Sequence, residues 1–169
     1  MADLGRGIKA GVVAGIIYGI VIGILEVIIM VALWSSIAAA YAEIAPGVAI
    51  TLAILAPSAF IGGIIGGIIG GLIFGLIYAA LYNSLPGSTS VKKGIILSII
   101  FWLIFSVALG FATSWILGIL FYVINNIIIG LLGAILWGYL LGVFWDKYGS
   151  KQPQPAATPS VESETAKEK

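Results

Sequence analysis

GIKAGVVAGIIYGIVIG at residues 7–23 and GGIIGGIIGGLIFG at residues 62–75 decide the fold. In both stretches glycine returns every fourth position, and the residues between are almost all Ile, Val, Ala or Leu. A period of four places the glycines on one helical face, whereas a strand would alternate with a period of two. Neither stretch has a polar face, so water is not the solvent of these helices. Lipid is. Lipid tails give helices no hydrophobic reason to associate, and association then depends on close backbone contact, which small residues at every fourth position permit. The expected packing residues are Gly7, Gly11, Gly15, Gly19 and Gly23 on the first helix and Gly63, Gly67, Gly71 and Gly75 on the second, with Gly62, Gly66 and Gly70 on a neighbouring ridge.

Composition extends this reading to the whole chain. The 169 residues are 61% hydrophobic and 9% charged, where a soluble domain has roughly 25% charged residues. A span needs roughly 20 apolar residues, and four such runs are present. The first covers residues 8–33 and is too long for a signal-peptide core, which is about 7 to 15 residues. Ala40-Tyr41-Ala42 does resemble a small-residue cleavage site, which leaves removal of that run as the other reading. A second run, residues 48–82, is too long for one straight helix, and Pro57 offers a break, since it lacks an N–H donor and clashes with the preceding turn. The span proper is expected over 58–82, with 48–56 as an interfacial lead-in. The third span is expected over 94–111, capped by Ser90, and the fourth over 115–145, after a tight turn at 112–114. The fourth helix carries a ridge of Gly130, Ala134, Gly138 and Gly142, and the third a poorer one interrupted by Trp102. The fold class is thus all-α: a polytopic four-helix transmembrane domain over residues 1–148, in two hairpins packed through glycine ridges. Residues 149–169, rich in Pro, Ser, Thr, Glu and Lys, have nothing apolar to bury and are expected to be a disordered tail.

Arg6, Lys9, Lys92, Lys93, Lys147 and Lys151 all fall on one side of this arrangement. Cytoplasmic loops carry the excess of Lys and Arg, so a cell-membrane protein with both termini cytoplasmic is expected. The second and fourth helices also match at an offset of 63 residues. Ile64, Ile65, Gly67, Gly70 and Gly75 recur as Ile127, Ile128, Gly130, Gly133 and Gly138, and Phe74 and Tyr82 answer Trp137 and Trp145. A repeat of two helices keeps its membrane orientation and relates its halves by an axis along the membrane normal.

The chain has neither cysteine nor histidine, which excludes disulfides, thiolate chemistry and the usual ligands of zinc, copper and haem. No cofactor and no metal site are expected, nor an enzyme, because no water-accessible acid, base and nucleophile can be assembled. The net charge of +1 offers no face for nucleic acid. Glu26 is the one acid that must lie within a span, and such residues are costly enough to be functional candidates. It lies eight residues before Trp34, and Asn125 and Asn126 lie ten and eleven after Trp115, which puts the three at similar depth and predicts contact between the first and fourth helices. Three roles fit them: packing glue between helices, a Glu26 that snorkels toward the outer interface, or a proton or cation site with the amides as neutral ligands. Two functions follow. One is a helix-packing accessory subunit or self-associating scaffold, whose partners are the lipid bilayer and other membrane helices, in a homo-oligomer or a larger complex. The other is a small oligomeric channel or transporter that uses Glu26.

Overall fold

A chain without enough polar groups to hold water must satisfy its backbone within each segment, and in lipid that means helices. The computed structural model describes residues 3–149, and the described residues contain no strand. Seven α-helices follow in order: α1 Leu4–Ala32, α2 Trp34–Ile44, α3 Leu52–Leu81, α4 Ser90–Phe101, α5 Ser114–Leu117, α6 Ile119–Tyr122 and α7 Gly130–Lys147. π-Helical turns over Trp102–Leu109 extend α4, and a second π-segment, Val123–Ile129, joins α6 to α7. Four helical stretches are long and apolar enough to cross a membrane: Leu4–Ala32, Leu52–Leu81, Ser90–Ala112 and Ile119–Lys147. The expected tail lies, from residue 150 onward, outside the described residues.

Two antiparallel pairs make the bundle, α1 with α3 and α4 with α7, and contact between α1 and α7 joins them. In the first pair the two glycine ridges face each other over their whole length. Gly7 meets Gly75, Gly11 meets Gly71, Gly15 meets Gly67 and Gly19 meets Gly63, so that a side-chain carbon on any of these four α1 glycines would strike a backbone carbonyl of α3. Gly23, at the end of the ridge, faces Phe60. The seam leaves no room for a methyl group. Gly62 and Gly66 have open space where a Cβ would stand, while Gly70 lies against the Trp137 ring. One of the two ridges on α3 is therefore buried in the pair, and the other turns partly outward.

The second pair keeps the register but not the composition. Gly94 meets Gly138, Gly142 meets the backbone of Ser90 and Val91, and Gly130 lies against the Trp102 indole. Gly75 and Gly138 are equivalent in the sequence repeat, and their partners Gly7 and Gly94 each follow a basic residue, Arg6 and Lys93. The repeat thus extends to the first helix of each pair. Its exchange is visible at the end of the bundle where α1 and α4 begin. Arg6 Nε donates to the Trp145 carbonyl at the end of α7 (2.5 Å), and Lys93 Nζ donates to the Tyr82 carbonyl at the end of α3 (2.7 Å). Each cation also lies 4.2 Å from the centre of the ring whose carbonyl it caps. Tyr82 and Trp145 stack on each other, centroids 4.7 Å apart. Farther along, Phe74 and Trp137 are 4.5 Å apart.

Several boundaries differ from expectation, each for a local reason. Pro57 does not break the second helix: α3 begins at Leu52 and runs through it. Pro57, the sixth residue of α3, deprives the Ala53 carbonyl of its helical donor, and Ser58 Oγ donates to the neighbouring Ile54 carbonyl at 2.7 Å. Residues 34–44, read as a connection, form α2, whose Ile37 is buried. Ser90 is not the cap of α4; Thr89 is, accepting from the Lys92 amide. The reversal between the third and fourth spans is not at 112–114. The chain stays helical through those residues and turns at Gly118, whose φ of +84° favours glycine. Trp115, expected to open the fourth span, sits on this turn and is 83% exposed.

The seam predicts opposite signs for one substitution at two kinds of glycine. Gly15→Ala should destabilise the protein by about 1–3 kcal/mol through overpacking, whereas Gly66→Ala, with open space around it, should be neutral or stabilising by up to about 1 kcal/mol from helix propensity. Reversible unfolding in mixed micelles measures both, and equal effects would remove the seam from the account.

Candidate functional site: a polar pair and an aromatic cavity within the spans

The regular glycine seam ends where the second hairpin departs from the first. At the positions of Gly62 and Gly63, an offset of 63 residues places Asn125 and Asn126. Both lie in the π-segment Val123–Ile129. Widened turns of this kind occur mostly as single-turn bulges at functional sites. Opposite them, the π-segment Trp102–Leu109 replaces the straight course that α1 keeps.

Three side chains hold the two widened segments together. Trp102 Nε1 donates to the Asn126 carbonyl at 2.8 Å, Tyr122 OH donates to the Val107 carbonyl at 2.8 Å, and the Asn126 amide oxygen lies against Gly110. Trp102 is therefore no mere interruption of a glycine ridge. Its bulk lies over Gly130 and its N–H satisfies a carbonyl of the bulged turn.

Glu26 projects from α1 toward this region and is half-buried. Its carboxyl group lies within electrostatic reach of the Asn125 side chain. Asn126, one position on, is turned to the second hairpin and meets Trp102 and Gly110 instead. Asn125 Oδ1 is buried without a hydrogen-bond partner. One carboxyl group and one unsatisfied amide oxygen thus share a site within the spans. The one ion pair among the described residues, Arg6 with Asp146 at 3.8 Å, is at the basic end of the bundle, so no basic side chain among the described residues forms an ion pair with Glu26. No group of three or more acidic residues that would hold a multivalent metal occurs among the described residues.

A cavity of about 300 Å³ lies between the two hairpins, lined by Tyr18, Phe74, Phe101, Trp102, Phe105 and Trp137 together with Ser98, Ser106, Gly130 and Ala134. Tyr18 stacks on Trp137 at 4.8 Å and lies two helical turns from Glu26 on α1.

A second cluster was not foreseen. At the basic end, Ser90 Oγ donates to Asp146 Oδ1 (2.5 Å) and lies 2.6 Å from Tyr82 OH, while Tyr78 OH donates to the Ser90 carbonyl. With the Arg6 and Lys93 caps it ties all four spans together. The recurrence of Tyr82 as Trp145 was the available signal, but it gives equivalence and not contact.

The chain belongs to the DUF6789 family. This is a family of unknown function, and its sequence profile matches residues 1–156. No curated protein and no solved structure matches the chain. The match covers the whole four-span bundle of this DUF6789 protein, including Glu26 and both asparagines.

The pairing has a thermodynamic consequence. In a double-mutant cycle Glu26→Ala and Asn125→Leu should be coupled by roughly 0.5–1.5 kcal/mol, the range of interhelical hydrogen bonds in membranes. Glu26→Ala and Asn126→Leu should add within about 0.5 kcal/mol. Additivity at Asn125 would separate the two groups.

Proposed function

We propose that this DUF6789 protein is a small, non-enzymatic membrane transporter or channel subunit in which Glu26 and Asn125 form a proton or monovalent-cation site. The observation that carries the reading is a carboxyl group and an unpartnered amide oxygen together inside the spans, with no basic side chain beside them. A carboxyl group beside an unpartnered amide oxygen suits a positive ligand, and ionisable groups at that depth are retained where they mark ion or proton pathways. Four helices of this size enclose little space alone, so a path through the membrane calls for several copies or a partner subunit. The basic residues at the end where α1 and α4 begin support a cell-membrane orientation with that end cytoplasmic.

The accessory or scaffold reading has its own support. The ridges of α1 and α3 are consumed within the chain, but Gly62 and Gly66 stand open on the outer side of α3. A small-residue stripe there suits close approach by another membrane helix, from a second copy or a larger complex. That contact and the Glu26 site are compatible in one oligomer.

Reconstitution distinguishes a working site from glue. Glu26→Gln keeps the size and most of the hydrogen bonding and removes the charge. Proton or sodium flux into liposomes should be present with wild type and fall at least tenfold with Glu26→Gln, while thermal stability is retained. Equal flux from the two proteins would assign Glu26 to packing.

A further inference from the structure

We infer that the cavity between the hairpins binds an uncharged, single-ring lipophile carrying carbonyl oxygens, which accept from the Trp137 N–H and from the hydroxyls of Ser98 and Ser106. Three donors of its lining residues lack acceptors. Trp137 Nε1 is buried without a hydrogen-bond partner. A serine within a helix ordinarily donates to a carbonyl of the preceding turn, as Ser58 does to Ile54 and Ser114 to Phe111. Among the described residues Ser98 and Ser106 make no such bond, although Ser98 is buried. All three residues line the cavity, and no charged side chain does. A buried donor left unpaired carries the full cost of its desolvation, so the partner that is called for is an acceptor. With no cation on the wall to balance an anion, that acceptor is uncharged.

Packing alone did not require these groups. In the register that equates Gly7 with Gly94, Ser98, Trp102 and Ser106 stand where the first hairpin has Gly11, Gly15 and Gly19. The first hairpin closes those positions backbone to backbone, and the second opens them into a cavity of about 300 Å³. Trp137 answers Phe74, a ring with no N–H. The walls set the rest of the ligand. Six aromatic rings favour a flat ring in offset or edge-on contact. The volume is at the small end of ligand pockets and holds one substituted six-membered ring. Phe105 both lines the cavity and is about half exposed on the bundle surface, as are Leu103 and Ile104 before it, so an apolar ligand enters sideways from the lipid. Neither Glu26 nor Asn125 is on the wall, and this ligand needs neither of them.

The test pairs tetramethyl-1,4-benzoquinone, a neutral ring with two carbonyls, with hexamethylbenzene, which has the same outline and methyl groups in place of the oxygens. Equilibrium binding of the radiolabelled quinone is measured on the full-length protein in lipid nanodiscs, with binding to empty nanodiscs subtracted. Saturable binding is expected with wild type, and hexamethylbenzene should compete about tenfold less well, since it accepts no hydrogen bond. Trp137→Phe keeps a ring and removes the N–H, and Ser98→Ala with Ser106→Ala removes both hydroxyls. Each variant should weaken the quinone by about fivefold, within the range for losing a neutral hydrogen bond, and leave competition by hexamethylbenzene within about twofold. Should Trp137→Phe fail to fold, the serine pair decides. Absence of saturable binding, equal competition by hexamethylbenzene, or a quinone affinity unmoved in the folded variants each overturns the inference and leaves the cavity to water or lipid chains.

Discussion

Backbone-to-backbone contact between α1 and α3 is the constraint on which the rest of the molecule depends. Gly7, Gly11, Gly15 and Gly19 lie against Gly75, Gly71, Gly67 and Gly63 so closely that a β-carbon on any of these four α1 glycines would strike a carbonyl of α3. In water such a pair would gain little, because glycine contributes no apolar side chain to bury. In lipid the gain is van der Waals contact itself, which grows as the helices approach. The first hairpin becomes a rigid rod pair, and Glu26 is held at a fixed height on it.

The second hairpin departs from that pattern, and its departures build the site. At positions equivalent to the glycines of α3 it carries Asn125 and Asn126, and on the facing helix Trp102 occupies the place where a small residue would continue the ridge. Bulk and polarity push the facing segments into π-turns, open a cavity between the hairpins and place an amide next to Glu26. At the opposite end the two hairpins remain nearly symmetric, each basic residue capping the last turn of the other hairpin's helix.

Much of this was legible in the residues because the governing rules are local. A glycine every fourth residue means a helical seam, and about 20 apolar residues mean a span. The depth of Glu26 relative to Trp34, and of Asn125 relative to Trp115, pointed to the polar pair from sequence alone, though Trp115 lies on the turn and not in the span. Other features depended on competition between elements. Pro57 was misjudged because its effect depends on its position within the helix, and the turn at Gly118 was hidden because a lone glycine in a glycine-rich chain carries no distinguishing signal. The π-segments arise from packing Trp102 against Gly130 across two helices. The network around Ser90 and Asp146 joins residues 56 apart. Neither has a local signature.

The central claim, that Glu26 is an exchangeable site beside Asn125, is tested most directly by infrared difference spectroscopy of the reconstituted protein on adding protons or a cation. The account predicts a carboxyl C=O band that appears or vanishes with the ligand, is absent from Glu26→Gln, and moves to higher frequency in Asn125→Leu as its polar neighbour is lost. A spectrum in which no carboxyl band responds, or one that responds identically in Glu26→Gln, would contradict it.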